Sequence, residues 1–248
     1  MIRRPPRSTP SNSSAASDVY KRQKILWTNY PNNPTTALAT KEFFKSCIDL
    51  ANDFNFVIAS DEAYSEIYYD RKPISIFNVR GGKECAVVFN SLSKRSNMTC
   101  YRIGFVVSNR DLLKPFKEVQ TNVHSGVATF IQDSAISALS DEEHVKIMRE
   151  RYKTKREIML NALKNAGFGK LYSYATFYIW AKVPEGANSI DVTKFLLNKC
   201  GINATPGRFM SYAYTCNEFV RFALVPPIER ILEAEKRLKK INIKQLCQ

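Results

Sequence analysis

The feature of this sequence that most restricts its fold is an alternation of short apolar runs with longer segments of helical periodicity, from Lys24 to about residue 140. A helix is predicted over residues 40–54, where apolar residues recur at helical spacing. Strands are predicted at Ile25–Trp27, Phe56–Ala59, Ala86–Phe89 and Ile103–Val107. This alternation is typical of an α/β fold, with a mostly parallel sheet and helices on its faces. Polar residues that follow the strands are therefore the first candidates for a functional site.

The pattern changes after residue 140. A long charged helix is predicted from Asp141 to about Asn165, because acidic residues favour the positive end of a helix dipole, and Gly167 and Gly169 end it. The other elements predicted here are strands at Thr176–Lys182, Gly201–Ala204 and Phe219–Val225 and an amphipathic helix over residues 228–241. We therefore expect residues 24–140 to form part of a large α/β domain. Residues 141–248 should add an interdomain helix and a small α+β domain.

Residues 1–23 are rich in Ser, Pro and Arg and have no apolar periodicity, so they are predicted to be disordered. They lack the apolar centre of a secretory signal, and their early prolines disfavour the amphipathic helix of a mitochondrial transit peptide. The segment also resembles the translated adapter sequence found at broken ends of sequencing contigs. It is therefore excluded from the fold prediction.

Composition narrows the class of protein. Hydrophobic residues make up 44% and charged residues 24% of the 248 residues, and no apolar run approaches the length of a membrane span, so a soluble protein without a membrane partner is expected. A formal net charge of +14 would suit nucleic-acid binding, but the basic residues are scattered and five of them fall in residues 1–23. Zinc-finger spacing, RNA-binding motifs and recognition-helix signatures are all absent from the sequence. A solvated basic surface, rather than a nucleic-acid partner, is the better interpretation.

The cysteines indicate a reducing compartment. There are six, without any C-x-x-C pair, and only two histidines accompany them. Free thiols in the cytoplasm, and no metal site, are therefore expected. The cysteines are Cys47, Cys85, Cys100, Cys200, Cys216 and Cys247.

Lys94 is the main candidate for chemistry. It closes a Ser-x-Ser-Lys turn directly after the predicted strand Ala86–Phe89, where a side chain can leave the sheet edge and enter a crevice. A lysine amine forms imines, and its pKa falls when it is desolvated. Ser91, Ser93 and Arg102 add two hydroxyls and a planar cation, which suit a phosphate group. Each of these residues alone would more commonly be a turn residue or a surface charge.

Asp61 ends another apolar run, where a carboxylate is costly unless it meets a cation or strong donor. A helix N-cap is an equally good interpretation of this position. Tyr64 follows three residues later and can point toward the same space.

Four short segments together resemble a known family. In order along the chain they read NYPNNPTT from Asn29, SDEAY from Ser60, SLSK from Ser91 continuing to YRIG at Tyr101, and FVRF from Phe219. Their order and spacing resemble the class I/II aminotransferases of the fold-type I pyridoxal-phosphate family. The resemblance implies the aspartate aminotransferase-like fold of these transferases, with residues 24–140 as the C-terminal part of the cofactor-binding large domain. It also implies pyridoxal 5'-phosphate as the cofactor.

The resemblance further implies a role for each candidate residue. Lys94 would bind the cofactor covalently and carry protons at the substrate, and Asp61 would pair with the pyridine nitrogen. Asn33 and Tyr64 would hydrogen-bond the phenolic oxygen of the ring. The phosphate would be held by Ser91, Ser93 and Arg102. The substrate carboxylate would be bound by Arg221, with Asn33 beside it. Without the resemblance, Arg221 would be interpreted as an ion-pair partner.

The implied reaction moves an amino group between an amino acid and a 2-oxo acid, in a protein that is a homodimer at full length. Three sequence segments are most similar to N-succinyldiaminopimelate aminotransferases of lysine biosynthesis: the one around Lys94, residues 141–145, and the one that follows Arg221. That subgroup suggests N-succinyl-LL-2,6-diaminopimelate and 2-oxoglutarate as substrates. The alternatives are an aspartate or aromatic aminotransferase, a carbon–sulfur lyase of the same fold type, and a regulatory aminotransferase-like domain without catalysis.

The sequence departs from the family pattern at two usual glycines, which are Thr36 and Cys100 here. A left-handed backbone at either position would be strained. Family members also carry more than a hundred further N-terminal residues with additional cofactor contacts. We therefore expect an exposed apolar sheet edge, weak cofactor retention, poor solubility and loss of activity for this chain by itself.

Overall fold

The computed structural model describes residues 23–123 and 126–247. The predicted leader, apart from its last residue, lies outside the described residues. The first sheet contains β1 (Ile25–Asn29), β2 (Val57–Asp61), β3 (Ala86–Ser91) and β4 (Gly104–Val107), in that spatial order. β1 and β2 are parallel, β2 and β3 are parallel, and β4 runs antiparallel to β3. The prediction of a mostly parallel sheet is confirmed.

The register of this sheet places the polar residues at the ends of its strands next to one another. Asn29 pairs with Asp61, Asp61 pairs with Phe89, and Ser91 pairs with Gly104. Because β1, β2 and β3 run in the same direction, their carboxyl ends meet at one edge of the sheet. The candidate residues of three sequence segments therefore start from a common edge.

Helix α1 (Lys41–Phe54) covers one face of the sheet. Thr40 caps its start by accepting a hydrogen bond from the backbone N–H of Phe43, and Asn55 ends it in a left-handed conformation. Its buried residues follow helical spacing and pack on β2 and β3; they are Phe44, Cys47, Ile48 and Ala51. Two short helices, α2 (Gly82–Cys85) and α3 (Leu92–Arg95), flank β3.

Two further helices complete the first part of the chain. They are α4 (Arg110–Val123) and α5 (Thr129–Ser140), and the sequence pattern did not indicate them separately. α4 buries none of its residues, and α5 buries only Ala135. Together with Ile25 and Trp27 of β1, they leave an extensive apolar surface exposed. The exposed apolar edge expected from the sequence is present in the described residues.

The second part begins with the long helix α6 (Glu143–Asn165), which matches the prediction. Gly167, with φ of 95°, lets the chain turn at its end. The strands that follow are β5 (Leu171–Tyr172), β6 (Tyr178–Lys182), β7 (Thr205–Pro206) and β8 (Phe219–Ala223), in an antiparallel sheet of order β5-β6-β8-β7. Helices α7 (Ser189–Cys200) and α8 (Ile228–Leu238) accompany this sheet.

The predicted strand at Gly201–Ala204 is wrong. Gly201 instead caps α7 in a left-handed conformation, and its N–H bonds the carbonyl of Leu197. Strand pairing starts only at Thr205. Helix α7 itself was not predicted.

The segment after β2 packs into the second part of the chain. Tyr64 and Ile67 belong to the same apolar core as α6, β6 and β8. The N–H of Thr176 donates to the carbonyl of Ile67 at 2.8 Å, and Arg149 forms an ion pair with Glu66 at 3.1 Å. This contact joins the edge of the first sheet to the second one. A domain division at residue 140 stays a prediction.

Within the described ranges, no helix is both long and apolar enough to cross a membrane. The same residues contain no cluster of His, Cys, Asp and Glu that could hold a metal ion.

Candidate functional site

A cavity of about 480 Å³ lies at the carboxyl edge of the first sheet. Seven of the eight predicted site residues line it: Asn33, Asp61, Tyr64, Ser91, Ser93, Lys94 and Arg102. The eighth, Arg221, donates a hydrogen bond from Nη1 to Oδ1 of Asn33 at 2.7 Å. The structure thus brings together side chains that are up to 188 positions apart in the sequence.

Lys94 lies in the one-turn helix α3. Ser91 caps this helix by accepting a hydrogen bond from the N–H of Ser93 at 3.2 Å, and Leu92 anchors it in the interior. Nζ of Lys94 lies 5.7 Å from the ring centroid of Tyr64 and 5.6 Å from that of Phe177. Among the described residues Lys94 has no acidic ion-pair partner. The amine is therefore held between aromatic walls and remains available to a ligand.

Asp61 is the last residue of β2, and its Oδ1 accepts a hydrogen bond from the N–H of Ala63 at 3.1 Å. That contact turns the chain sharply toward Tyr64, in the manner of an Asx turn. The prediction of an N-cap is met only in this local sense, because no helix starts here. The carboxylate lines the cavity and keeps acceptor capacity for a cation.

Tyr64 is buried, and its hydroxyl lies 3.4 Å from that of Tyr178. Burial raises the pKa of the Tyr64 phenol, and the hydroxyl of Tyr178 raises it further, while Arg221 acts in the opposite direction. Tyr64 is therefore a neutral hydrogen-bond donor or acceptor at physiological pH.

Arg221 extends from β8 toward the cavity. Its guanidinium lies 4.4 Å from the ring centroid of Tyr178, and Nη2 donates to Oγ1 of Thr205 at 3.4 Å. Nε is buried without a hydrogen-bond partner, and Arg221 pairs with no carboxylate in the described part of the chain. A half-buried guanidinium with a spare donor and no counter-ion is suited to an anionic ligand.

Arg102 stands at the exposed rim of the cavity. Its Nη1 donates to the carbonyl of Thr99 at 3.1 Å, and its backbone is left-handed with φ of 54°. Cys100 does not adopt a left-handed backbone, since the turn places that conformation at Arg102. Thr36 does adopt it, with φ of 63°, so the strain considered for a residue other than glycine arises there.

Sequence reasoning missed four residues of the site region. Asn29 accepts a hydrogen bond from the backbone N–H of Asn33 through Oδ1 at 3.0 Å, and Trp27 lines the cavity and packs against Phe89. Phe177 and Tyr178 come from β6 and the turn before it. The position of Asn29 at the end of a strand beside Asp61 was a usable signal. Phe177 and Tyr178 gave no such signal, since no local sequence spacing connects them to Lys94.

The donor set suits one kind of ligand. An acid, an amine, a phenol, two hydroxyls and a guanidinium line a common cavity, and a second guanidinium is hydrogen-bonded to Asn33 in the wall of that cavity. A flat ring with a basic nitrogen, a carbonyl carbon and a phosphate matches these groups in charge and hydrogen bonding.

Comparison with known proteins agrees with this geometry. Residues 10–238 match the model of the family described as "Aminotransferase class I and II". The LL-diaminopimelate aminotransferase of Aquifex aeolicus is 44% identical over 237 residues, which is 94% of this chain and 60% of that protein. The corresponding protein of Halothermothrix orenii is 40% identical over 237 residues, with coverages of 95% and 60%. This chain thus spans about 60% of the length of these relatives.

A solved structure shows the same fold. The probable N-succinyldiaminopimelate aminotransferase from Thermus thermophilus superposes with a TM-score of 0.80 at 30% identity, covering 90% of this chain and 60% of the other. The aminotransferase fold expected from the four segments is therefore confirmed. The cofactor of the family is pyridoxal 5'-phosphate, as expected, and it fits the donor set described above. By fold and sequence, this chain belongs to the class I and II aminotransferase family.

Proposed function

We propose that this chain carries the cofactor-binding and carboxylate-binding residues of an aminotransferase that exchanges an amino group between an amino acid and a 2-oxo acid. One observation carries the proposal: Lys94, Asp61 and Tyr64 line a single cavity, and Arg221 reaches it through Asn33. The family relationship supports the reaction type.

Pyridoxal 5'-phosphate supplies a carbonyl that condenses with amines and a ring that withdraws electrons from the substrate α-carbon. In this proposal the Asp61 carboxylate binds the protonated ring nitrogen, for which it has free acceptor capacity. Asn33 and Tyr64 hydrogen-bond the phenolic oxygen. Ser91, Ser93 and Arg102 hold the phosphate, where charge-assisted hydrogen bonds are strongest.

Lys94 is proposed as the residue that binds the carbonyl carbon and later moves a proton at the α-carbon. The faces of Tyr64 and Phe177 support this role, because they limit water around the amine and offer no carboxylate that would trap it as an ion pair. An amine in such surroundings can serve both as nucleophile and as general base.

Arg221 is proposed to bind the α-carboxylate of the substrate. Its Nη1 and Nη2 each donate one hydrogen bond within the protein, to Asn33 and Thr205, so each keeps an N–H for the two oxygens of a carboxylate. The contact with Asn33 places this cation beside the loop that forms one wall of the cavity. The substrate would thus be oriented with its α-carbon toward Lys94.

The proposed substrate is a diaminopimelate-type amino acid. The relatives with 44% and 40% identity are named for LL-diaminopimelate, whereas the Thermus thermophilus structure is named for the N-succinyl compound that the sequence suggested. The shared chemistry is an amino acid with a second charged end, and 2-oxoglutarate is the proposed amino acceptor. The succinyl group is the point that an experiment must decide.

We also propose an oligomeric state and a location. Homodimer formation at full length is supported by the apolar side chains that α4 and α5 expose. A cytoplasmic location is supported by the five described cysteines, all of which are free thiols.

The first test is covalent trapping. The 248-residue protein is mixed with pyridoxal phosphate, reduced with borohydride and digested for mass spectrometry. We expect the cofactor's mass to be added at Lys94, and the addition to disappear in Lys94→Ala but to persist in Lys83→Ala, an exposed lysine on α2. Trapping at scattered lysines with no preference for Lys94 would contradict the proposal.

The second test identifies the substrate. Because this chain by itself is expected to lose activity, the full-length protein is used. With pyridoxal phosphate in excess, LL-diaminopimelate and its N-succinyl derivative are added separately, and loss of the visible absorbance of the bound cofactor is followed. We expect a response to at least one of them, abolished in Arg221→Ala. A response to alanine or aspartate alone would favour the aspartate-type alternative.

A further inference from the structure

Tyr178 is a site residue that neither the four sequence segments nor the family resemblance indicated. It is the first residue of β6 and is only 9% exposed. In the register of β6 and β8, Tyr178 pairs with Ala223 and Trp180 pairs with Arg221. Tyr178 and Arg221 are therefore diagonal neighbours, close enough for an aromatic ring to cover a guanidinium.

Tyr178 is held in place by contacts of its ring and by hydrogen bonds of its backbone. Its ring lies 4.4 Å from the Arg221 guanidinium, and the Phe177 ring packs against it at 4.8 Å. The backbone is held at both ends, since its N–H donates to Oγ1 of Thr176 at 3.1 Å and its carbonyl accepts from Oγ of Ser173 at 2.9 Å. The ring therefore has little freedom to leave the guanidinium.

The hydroxyl of Tyr178 points toward Tyr64. It lies 3.4 Å from the hydroxyl of Tyr64, which lines the cavity beside Lys94. Either hydroxyl can donate in this pair. If Tyr178 donates, the proton of Tyr64 is free to point into the cavity, and the two bonds strengthen each other.

We propose that Tyr178 is a positioning residue, whose ring orients Arg221 for a carboxylate and whose hydroxyl donates to Tyr64 so that Tyr64 donates into the cavity. This inference rests on the proposed function. It adds a physical connection between Arg221, proposed to bind the substrate carboxylate, and Tyr64, proposed to contact the cofactor ring.

The ring and the hydroxyl can be separated by substitution. Tyr178→Phe keeps the aromatic face over Arg221 but removes the donor to Tyr64. Tyr178→Leu removes both, and Tyr172→Phe on β5 is the matched control, because Tyr172 packs on Tyr174 and Phe219 away from the cavity.

The first measurement is the binding of glutarate, a dicarboxylate that cannot react, to the cofactor-free protein by calorimetry. We expect Tyr178→Phe and Tyr172→Phe to bind as the unchanged protein does. Tyr178→Leu should bind about threefold to thirtyfold more weakly, the range of a cation–π contact. Equal affinity in Tyr178→Leu and Tyr178→Phe, or no binding by the unchanged protein, overturns the role of the ring. Circular dichroism checks the fold, and Tyr178→Met replaces Tyr178→Leu if the latter does not fold.

The second measurement is the pH midpoint of the visible absorbance of the protein saturated with cofactor. Weaker donation from Tyr64 leaves more negative charge on the phenolic oxygen, which favours the protonated form of the chromophore. We therefore expect an upward shift in Tyr178→Phe and none in Tyr172→Phe. An unshifted midpoint in Tyr178→Phe overturns the role of the hydroxyl. Failure of the proposed function itself would appear separately, as absence of trapping at Lys94.

Discussion

The two parts of this molecule bury their apolar side chains to very different degrees. The second part, with α6, β6 and β8, encloses one large core that also takes in Tyr64 and Ile67 from the first part. In the first part, α1 covers one face of the sheet well, but α4 and α5 leave residues such as Val123 and Phe130 at least 69% exposed. The cavity lies where the well-packed and the open regions meet.

This difference has a consequence for the site. Tyr64, Phe177, Tyr178 and Arg221 belong to or contact the closed core, so their positions are set by packing. Arg102 and Trp27 stand on the open side, and each is exposed. The end of the site proposed to bind the carboxylate should therefore be preorganised in this chain, and the end proposed to bind the phosphate should be loose. This asymmetry agrees with the weak cofactor retention predicted from the sequence.

Truncation of one apolar residue in each part of the molecule tests whether the difference in burial is also a difference in stability. Leu163 is fully buried in α6, whereas Ile136 of α5 is 63% exposed. We expect Leu163→Ala to lower the free energy of unfolding by about 2–5 kcal/mol and Ile136→Ala to change it by less than about 0.5 kcal/mol. Urea unfolding followed by circular dichroism measures both, and equal effects would show that the packing difference is not energetic.

Thr36 tests the junction between the two regions. It is fully buried in a left-handed conformation, and its Oγ1 accepts a hydrogen bond from the N–H of Tyr174 at 3.2 Å. Thr36→Val keeps the strained backbone and leaves this donor unsatisfied, so we expect a loss of about 1–3 kcal/mol. Thr36→Gly loses the same bond but relieves the backbone, and it should cost less. The reverse order in urea unfolding would show that the left-handed backbone of Thr36 is not strained.

Much of this organisation follows from local sequence. The strands before Asp61 and Lys94 are short apolar runs with polar ends, and parallel pairing places those ends at one edge, so the meeting of these residues at one cavity was predictable. Helices α4 and α5 were missed because their apolar residues do not mark a face buried within this chain. Tyr178 was missed because a diagonal contact across β6 and β8 depends on register, which a single sequence does not specify.

Glu62 tests the effect of burial through the pH dependence of the free energy of unfolding. It is 4% exposed, and its Oε1 accepts hydrogen bonds from Ser60 Oγ, Ser75 Oγ and the N–H of Ile76 at 3.0 to 3.1 Å. Burial raises the pKa of this carboxyl above its ordinary value of 4.5, despite those hydrogen bonds. The folded protein therefore holds the proton more tightly than the unfolded chain does.

The sign of the effect follows from that difference. The stabilisation from protonated Glu62 is fully present below pH 4.5 and is lost as the pH rises through the folded-state pKa. Glu62→Gln keeps an acceptor at Oε1 and cannot ionise, so its free energy of unfolding should fall less over that interval. Urea unfolding at several pH values from 4.5 upward measures the slope for both proteins. Parallel slopes would mean that Glu62 is already ionised at no cost.

The smallest effects are expected from ion pairs, and they too should differ between the two regions. Arg149 and Glu66 join the parts at 3.1 Å with side-chain exposures of 18% and 26%, while Lys45 and Asp49 pair on the surface of α1 with exposures of 56% and 52%. Solvent screens the exposed pair, so Asp49→Asn should change the free energy of unfolding by no more than about 0.5 kcal/mol. Glu66→Gln leaves a largely buried guanidinium without its counter-ion, and we expect about 1 kcal/mol or more. Added salt should reduce the smaller effect and leave the larger one nearly unchanged, because screening reaches only charges that water reaches.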